Sequence, residues 1–305
     1  MRSKWQRFKE SYMLYNFLRD PVALGSFIIL AVLVISAFGA PIIAPHNPYD
    51  STTIDIMDAQ VPPIWEDGGS NEFLLGTDAQ GRGILSTMLY GMRVSIIIGV
   101  GAVCLQAFIG IMVGLLSGYI QRLDNILMRI ADVQLSFSTY MVAIFIGAIV
   151  QTAFGVAGYD KVAVPLIIVI IGLAEWPQYA RTVRASVLAE RKKEYVEAAR
   201  VIGLSKRRIM WRHILPNTLS PVLVISTVQV ANAIMSEAAL SFLGLGMPVN
   251  KPSLGSLITA GFEYIFSGSW WITIFPGILL VTLILVINLL GDWIRDFLNP
   301  KLYKG

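Results

Sequence analysis

The chain is poor in charge, in cysteine and in histidine. Only 14% of its 305 residues are Asp, Glu, Lys or Arg, against about a quarter in an average soluble domain. Hydrophobic residues make up 55%, and mean hydropathy is +0.65. So much apolar side chain cannot be hidden inside a water-facing globule, and the composition points to an integral membrane protein. The one cysteine, Cys104, cannot form an internal disulfide; lying in an apolar run, it reads as a small core residue rather than a redox group. The two histidines, His46 and His213, have no metal-ligand spacing. No phosphate-binding G-x-x-x-x-G-K-[ST], no G-x-S-x-G and no H-E-x-x-H is present. Catalysis, a bound cofactor and a metal site are therefore not expected of this chain. Net charge is +4, but no basic patch is interleaved with aromatics in the manner of a nucleic-acid surface.

What the sequence has is long apolar runs. A span needs about 20 apolar residues, and six segments qualify. They are placed at 21–44, 93–120, 130–153, 162–180, 217–240 and 270–292. The fourth is the weakest, since it contains Glu175 and Pro177. The first is longer than the apolar core of a cleaved signal peptide and follows some twenty polar residues, so it reads as a retained span. Asp20-Pro21 has the form of a helix N-cap and first-turn proline. Before it, Trp5, Phe8, Tyr12 and Tyr15 recur at helical spacing among basic residues, which predicts an interfacial helix over 1–20; a frayed basic tail is the alternative.

Lys and Arg set the predicted orientation. With the N-terminus inside, the inner segments hold 20 of the 24 basic residues, and only Arg82, Arg93, Lys161 and Lys251 lie outside. Both termini and the basic block at 181–212 are thus expected in the cytoplasm. Residues 45–92 form the largest outer segment, with a short helix expected near 79–90. On it Asp78 and Arg82 are placed to pair. The outer segment 244–269 holds Gly244, Gly246, Pro248 and Pro252, which argue against regular structure.

The inner loop over 185–216 is the most informative stretch. Tyr195, Ala198, Ala199 and Ile202 share one side of a helix at i, i+3, i+4 and i+7, and the two alanines would let another protein's surface approach closely. Glu194 and Glu197 sit early in that helix, which suits its dipole. Gly203 can turn the chain sharply. Ser205 can cap a second helix, which Leu215-Pro216 would close as the next span starts. Such an element would pass a push on the first helix to the span as rigid-body motion; a positive-inside loop lying on lipid is the alternative.

The pattern Glu197-Ala198-Ala199-x3-Gly203, ending in Leu215-Pro216, resembles the signature loop of ABC importer permeases. His213 departs from it. The runs LLGTDAQGRGILSTMLYGMRVSIIIG at 74–99, PPIWEDGGS at 62–70, EAALSFLGLG at 237–246 and NLLGDWIRDFLNPKL at 288–302 resemble the dipeptide/oligopeptide/nickel subfamily, in the second, C-type, permease of its heterodimer. Gly83, Ser138 and Leu254 depart from the usual residues. The resemblance implies an all-α protein of six transmembrane helices with the type I importer architecture. It would pair with a second permease subunit around a central path, above two ATPase subunits that bind ATP and Mg, with a periplasmic or lipid-anchored substrate-binding protein docking outside. Glu194, Tyr195, Glu197, Ala198, Ala199, Ile202, Gly203, Leu215 and Pro216 would couple it to the ATPases. Peptides are the expected cargo, with nickel chelates or glycosides as alternatives. A stand-alone secondary transporter would need inverted repeats and mid-span charges, and neither is visible.

Polar residues inside the spans are candidates for the path: Gln106, Gln134, Gln229, Asn232 and Asn288. Gln229, Asn232 and Ser236 share one side of the fifth span, either facing a wet path or bonding between helices. Glu237 follows them and could meet a peptide ammonium or pair with an arginine. The acids Asp132, Glu175, Glu237 and Asp292 are all expected near helix ends.

Overall fold

A computed structural model describes residues 12–50, 54–248 and 250–298. Most of the expected interfacial helix, with Trp5 and Phe8, lies outside them. Among the described residues no β-strand forms, and there is one isolated bridge between Thr77 and Gly83. Among the described residues, five helices are long and apolar enough to cross a membrane, or six if one sharply bent pair counts as a span. The chain divides into two compact units, residues 1–96 with 247–305, and residues 97–246.

In the first unit, α1 (Tyr12–Arg19) is followed by Asp20, whose carboxylate accepts the backbone N–H groups of Val22 and Ala23 and so caps α2 (Pro21–Phe38). A short α3 (Ala40–Ile43) ends the first apolar run. The loop over 44–83 is irregular, and its Asp78 and Arg82 do pair, at 2.7 Å with each 6% exposed. They pair in a turn, not on a helix: α4 (Ile84–Tyr119) starts only after them. Asp78 also accepts the backbone N–H groups of Gln80 and Arg82, and Gly81 between them has φ +79°. That is a backbone state non-glycine residues avoid, so a helix cannot start as early as residue 79.

In place of the irregular segment expected over 244–269, a helix α10 (Leu254–Phe262) forms behind Pro252. Ser253 caps it, with Ser256 bonding back to the Ser253 backbone. This reciprocal pair was the signal to weigh against the glycines and prolines. The last helix, α11 (Trp271–Leu298), packs on α2 and α10. Its first turn also pins the loop: Trp271 Nε1 donates to the Thr77 carbonyl at 3.1 Å and Trp270 Nε1 to Glu66 at 3.0 Å.

In the second unit the span expected over 130–153 falls on a sharply bent helix pair, the sixth span if the pair counts as one. Residues 121–153 make two helices, α5 (Gln121–Ser136) and α6 (Thr139–Ala153), bent by 83° at Phe137-Ser138. The break follows from charge. α5 carries Arg122, Asp124, Arg129 and Asp132, and its acids bind the far end of α7: Arg184 to Asp124 at 2.5 Å and Arg181 to Asp132 at 2.6 Å. A helix tied by such pairs cannot continue straight through hydrocarbon.

α7 (Gly158–Glu190) runs well beyond the expected 162–180 and is separated from α6 only by a short break at Gly155, φ +69°. α4 approaches it on a run of glycines spaced four apart, Gly110, Gly114 and Gly118. A Cβ on Gly114 would meet Val183 at 2.8 Å, and one on Gly118 would meet Val187 at 2.7 Å. Small residues at this spacing allow close helix approach where no hydrophobic effect drives association. Cys104, expected in the core, is exposed on α4.

Candidate functional site: a loop helix and a buried polar cluster

Helix α8 (Glu194–Val201) follows α7 after a short basic turn. Its acids lie in the first turn and Arg200 in the last, as the helix dipole favours. Its C-terminus closes through two backbone bonds, Gly203 N–H to the Arg200 carbonyl and Leu204 N–H to the Ala199 carbonyl. This is the Schellman arrangement, which needs a left-handed residue, and Gly203 has φ +84°. A Cβ on Gly203 would touch nothing within 4 Å, so glycine serves the backbone angle and not the space.

The outward face of α8 holds the expected Tyr195, Ala198 and Ile202 but not Ala199. Val196 and Ala199 are buried against the unit, while the exposed Tyr195 bonds back to it through its hydroxyl. Glu194, Glu197, Ala198, Val201 and Ile202 are exposed, at i, i+3, i+4, i+7 and i+8. Val201 is 88% and Ile202 77% exposed. Of the expected Tyr195-Ala198-Ala199-Ile202 set only Ala199 is turned inward, because it forms an apolar pair with Val196 on the inner side.

Tyr195 is a strut. Its hydroxyl donates to Glu190 Oε2 at 2.7 Å and accepts from Asn217 Nδ2 at 3.3 Å, while the same Asn217 group donates to the His213 carbonyl at 2.7 Å. One phenol therefore ties α8 to the end of α7 and to the start of the next long helix, α9 (Lys206–Phe242). Burial, and then the carboxylate of Glu190, push its pKa up to about 12, so it stays a neutral donor.

Ser205 caps α9, as expected, accepting from the Arg208 N–H at 3.4 Å. Leu215-Pro216 does not end a separate helix. The backbone widens to a π turn over Met210–Ile214 and continues unbroken into the span. Pro216 has no N–H and its ring crowds the carbonyl four residues back, and a π turn relieves both. Leu215 is half-buried and Pro216 exposed. An open cleft of about 1360 Å³ lies beside the loop, lined by Arg122, Arg191, Lys192, Arg200, Lys206 and Arg207 with Glu197.

The polar residues of the spans form a second feature. Gln106 on α4 is fully buried; its Nε2 donates to the Ile171 carbonyl and to Glu175 Oε2, both at 3.4 Å. Ser236 on α9 donates to Glu175 Oε1 at 3.3 Å. Two turns earlier, Asn232 donates to the buried Gln229 at 2.8 Å. Glu175, expected near a helix end, stands near the middle of α7, because that helix continues to Glu190. Glu237 is fully buried and accepts from Ser241 at 2.7 Å, so it faces the interior of its unit. Gln134 is partly exposed on α5, and Asn288 lies on α11 in the other unit.

These features, long apolar helices joined by an anchored surface helix, are those of a transport subunit. Residues 106–304 match the family described as binding-protein-dependent transport system inner membrane component, and residues 2–63 match the N-terminal TM domain of oligopeptide transport permease C. The chain is 35% identical over 288 residues to the di/tripeptide transport system permease protein DppC of Pseudomonas aeruginosa, covering 94% of this chain and 90% of that one. It is 36% identical over 289 residues to the dipeptide transport system permease proteins DppC of Haemophilus influenzae and Escherichia coli K12, covering 94% of this chain and 93% and 92% of theirs. A chain of the MetNI methionine ABC transporter in an inward-facing conformation superposes with a TM-score of 0.56 at 19% identity, covering 70% of this chain and 96% of that one. The chain belongs to the binding-protein-dependent transport inner membrane component family, as an ABC importer permease of multi-pass type. Its membrane core has the type I importer fold.

Proposed function

We propose that this permease forms half of a peptide-import path and is driven by ATPase subunits through α8. The observation that carries this is the exposed stripe Glu194-Glu197-Ala198-Val201-Ile202 on a helix strapped to two long helices by Tyr195. An apolar-and-acidic face of this kind suits a groove on another protein. The strut then transmits displacement of α8 to α7 and α9 together. Gly203 holds the end of α8, and Leu215-Pro216 joins the loop to the span without a hinge. Peptide cargo rests on the names of the relatives given above.

In this reading a second permease subunit completes the path, and ATP and Mg bind and turn over on two ATPase subunits. A substrate-binding protein, periplasmic or lipid-anchored, delivers cargo from outside. Both termini and α8 face the cytoplasm, as the distribution of Lys and Arg favours. ATP and loaded binding protein bias one two-state element.

The test is purification of the permease pair with its ATPases, as wild type, Glu197→Arg and Gly203→Val, scored by substrate-stimulated ATP hydrolysis in liposomes. Normal insertion with loss of the ATPase or of its stimulation supports the reading. Wild-type behaviour of both variants removes α8 from the coupling role.

A further inference from the structure

No role above uses Glu175. It lies in the apolar stretch of α7 between Lys161 and Arg181, toward the Arg181 end. That stretch is about as long as a hydrocarbon core is thick. A charge at the centre of such a stretch costs about 2.5–3.5 kcal/mol on insertion scales and less toward its ends, and a carboxylate inside it faces a wet cavity or another charge. Among the described residues, no cation pairs with it. The basic residues next along α7 are both engaged elsewhere, Arg181 by Asp132 and Arg184 by Asp124.

Two neutral donors from two other helices reach it instead, Gln106 at 3.4 Å and Ser236 at 3.3 Å. They fix both oxygens in place while the residue stays partly exposed. Each oxygen accepts one of these bonds, so lone pairs remain for a further donor. Among the described residues, Gln106 Oε1 in this cluster and Gln229 Nε2, two turns before Ser236 on α9, are buried amide atoms without a hydrogen-bond partner. Their residues are 0% and 1% exposed. Unsatisfied buried polar atoms are costly and call for a reason. Gln229 and Ser236 lie two turns apart on one side of α9, which makes a polar strip leading to the carboxylate. A permanent ion pair would cancel the charge, whereas a path needs contacts that form and release.

We propose that Glu175 is the anionic contact on the translocation path for the ammonium group of the transported peptide, positioned by Gln106 and Ser236. The proposal rests on the peptide-import reading. The competing occupant is a basic side chain of the second permease subunit.

The test uses the complete importer in liposomes, with binding protein, and Ala-Ala as the probe. Uptake per ATP hydrolysed is compared for wild type, Glu175→Gln and Glu175→Asp. Loss of one charge-assisted contact is expected to lower the Glu175→Gln ratio about tenfold, with binding-protein-stimulated hydrolysis kept within about twofold and partial recovery in Glu175→Asp. An unchanged ratio in Glu175→Gln overturns the proposal and leaves peptide import standing. Failure of Glu175→Gln to hold the permease pair together also overturns it, in favour of subunit pairing. A wild-type importer that takes up no Ala-Ala overturns both this proposal and the peptide reading.

Discussion

The hydroxyl of Tyr195 donates to Glu190 at 2.7 Å and accepts from Asn217 at 3.3 Å, so one side chain ties the loop helix to the helices before and after it. Removing that hydroxyl should loosen the link without moving α8 off the unit, because Val196 and Ala199 remain buried. Tyr195→Phe is expected to cost about 1 kcal/mol of stability, the net worth of one hydrogen bond. It should cut substrate-stimulated ATP hydrolysis more than basal hydrolysis. The phenol pKa is raised in the folded state to about 12, so its contribution is complete below the unfolded value near 10 and is lost only as pH rises through 12. The difference between wild type and variant should therefore be flat from pH 6 to 9, measured by thermal melting in detergent.

Gly203 separates a backbone requirement from a steric one. There is room for a side chain, but φ is +84°. Asparagine tolerates such angles and β-branched residues do not. Gly203→Asn should keep most of the coupling, and Gly203→Val should lose it at a cost of about 1–2 kcal/mol. Equal coupling in the two variants would show that the Schellman turn is dispensable.

The glycine run on α4 answers to volume instead. A Cβ on Gly114 already meets Val183 at 2.8 Å. Gly114→Leu should force α4 and α7 apart and destabilise by about 1–3 kcal/mol, as overpacking does. Gly25 has nothing within 4 Å of its added Cβ, so Gly25→Leu is the control. Yield of monodisperse permease pair after detergent extraction reads the difference.

The buried pair Asp78–Arg82 lies in the loop pinned by Trp271. Arg82→Met leaves a carboxylate with few exits and should cost about 3–5 kcal/mol. Asp78→Asn with Arg82→Met removes both charges and should recover part of the loss. Proteolysis of the 44–83 segment in intact cells should report both, and equal cutting of the single and double variants would remove the charge argument.

Much of this was legible from residue order. Asp20-Pro21 marked the start of α2 because capping is local. Gly203 was marked because a sharp turn needs a residue without Cβ. The glycine spacing at 110, 114 and 118 is equally legible, as an interval of four between small residues in an apolar run. The Ser253–Ser256 box was legible too, under a louder signal from glycine and proline.

Other features were decided by partners distant in sequence. On α8 the expected outward Ala199 packs inward instead, because periodicity alone cannot tell Val196-Ala199 from Ala198-Ile202 as the side that packs. Only the body of the unit chooses. The span expected over 130–153 bends where a charged first half ends, and that half is tied through Asp124 and Asp132 to arginines on α7 that lie 60 and 49 residues away. Glu175, expected at a helix end, lies mid-helix because α7 does not stop where its apolar stretch does but runs on through Arg181 and Arg184 to Glu190.

The sequence by itself determined the class of this protein, its apolar spans and the local grammar of its turns. Those follow from composition, run length and backbone stereochemistry, which each segment carries within itself. The tertiary structure alone decided which face of α8 is free, where the third span bends, and which three helices converge on Glu175. Those depend on side chains that share no local period, and a one-dimensional pattern has no term for them.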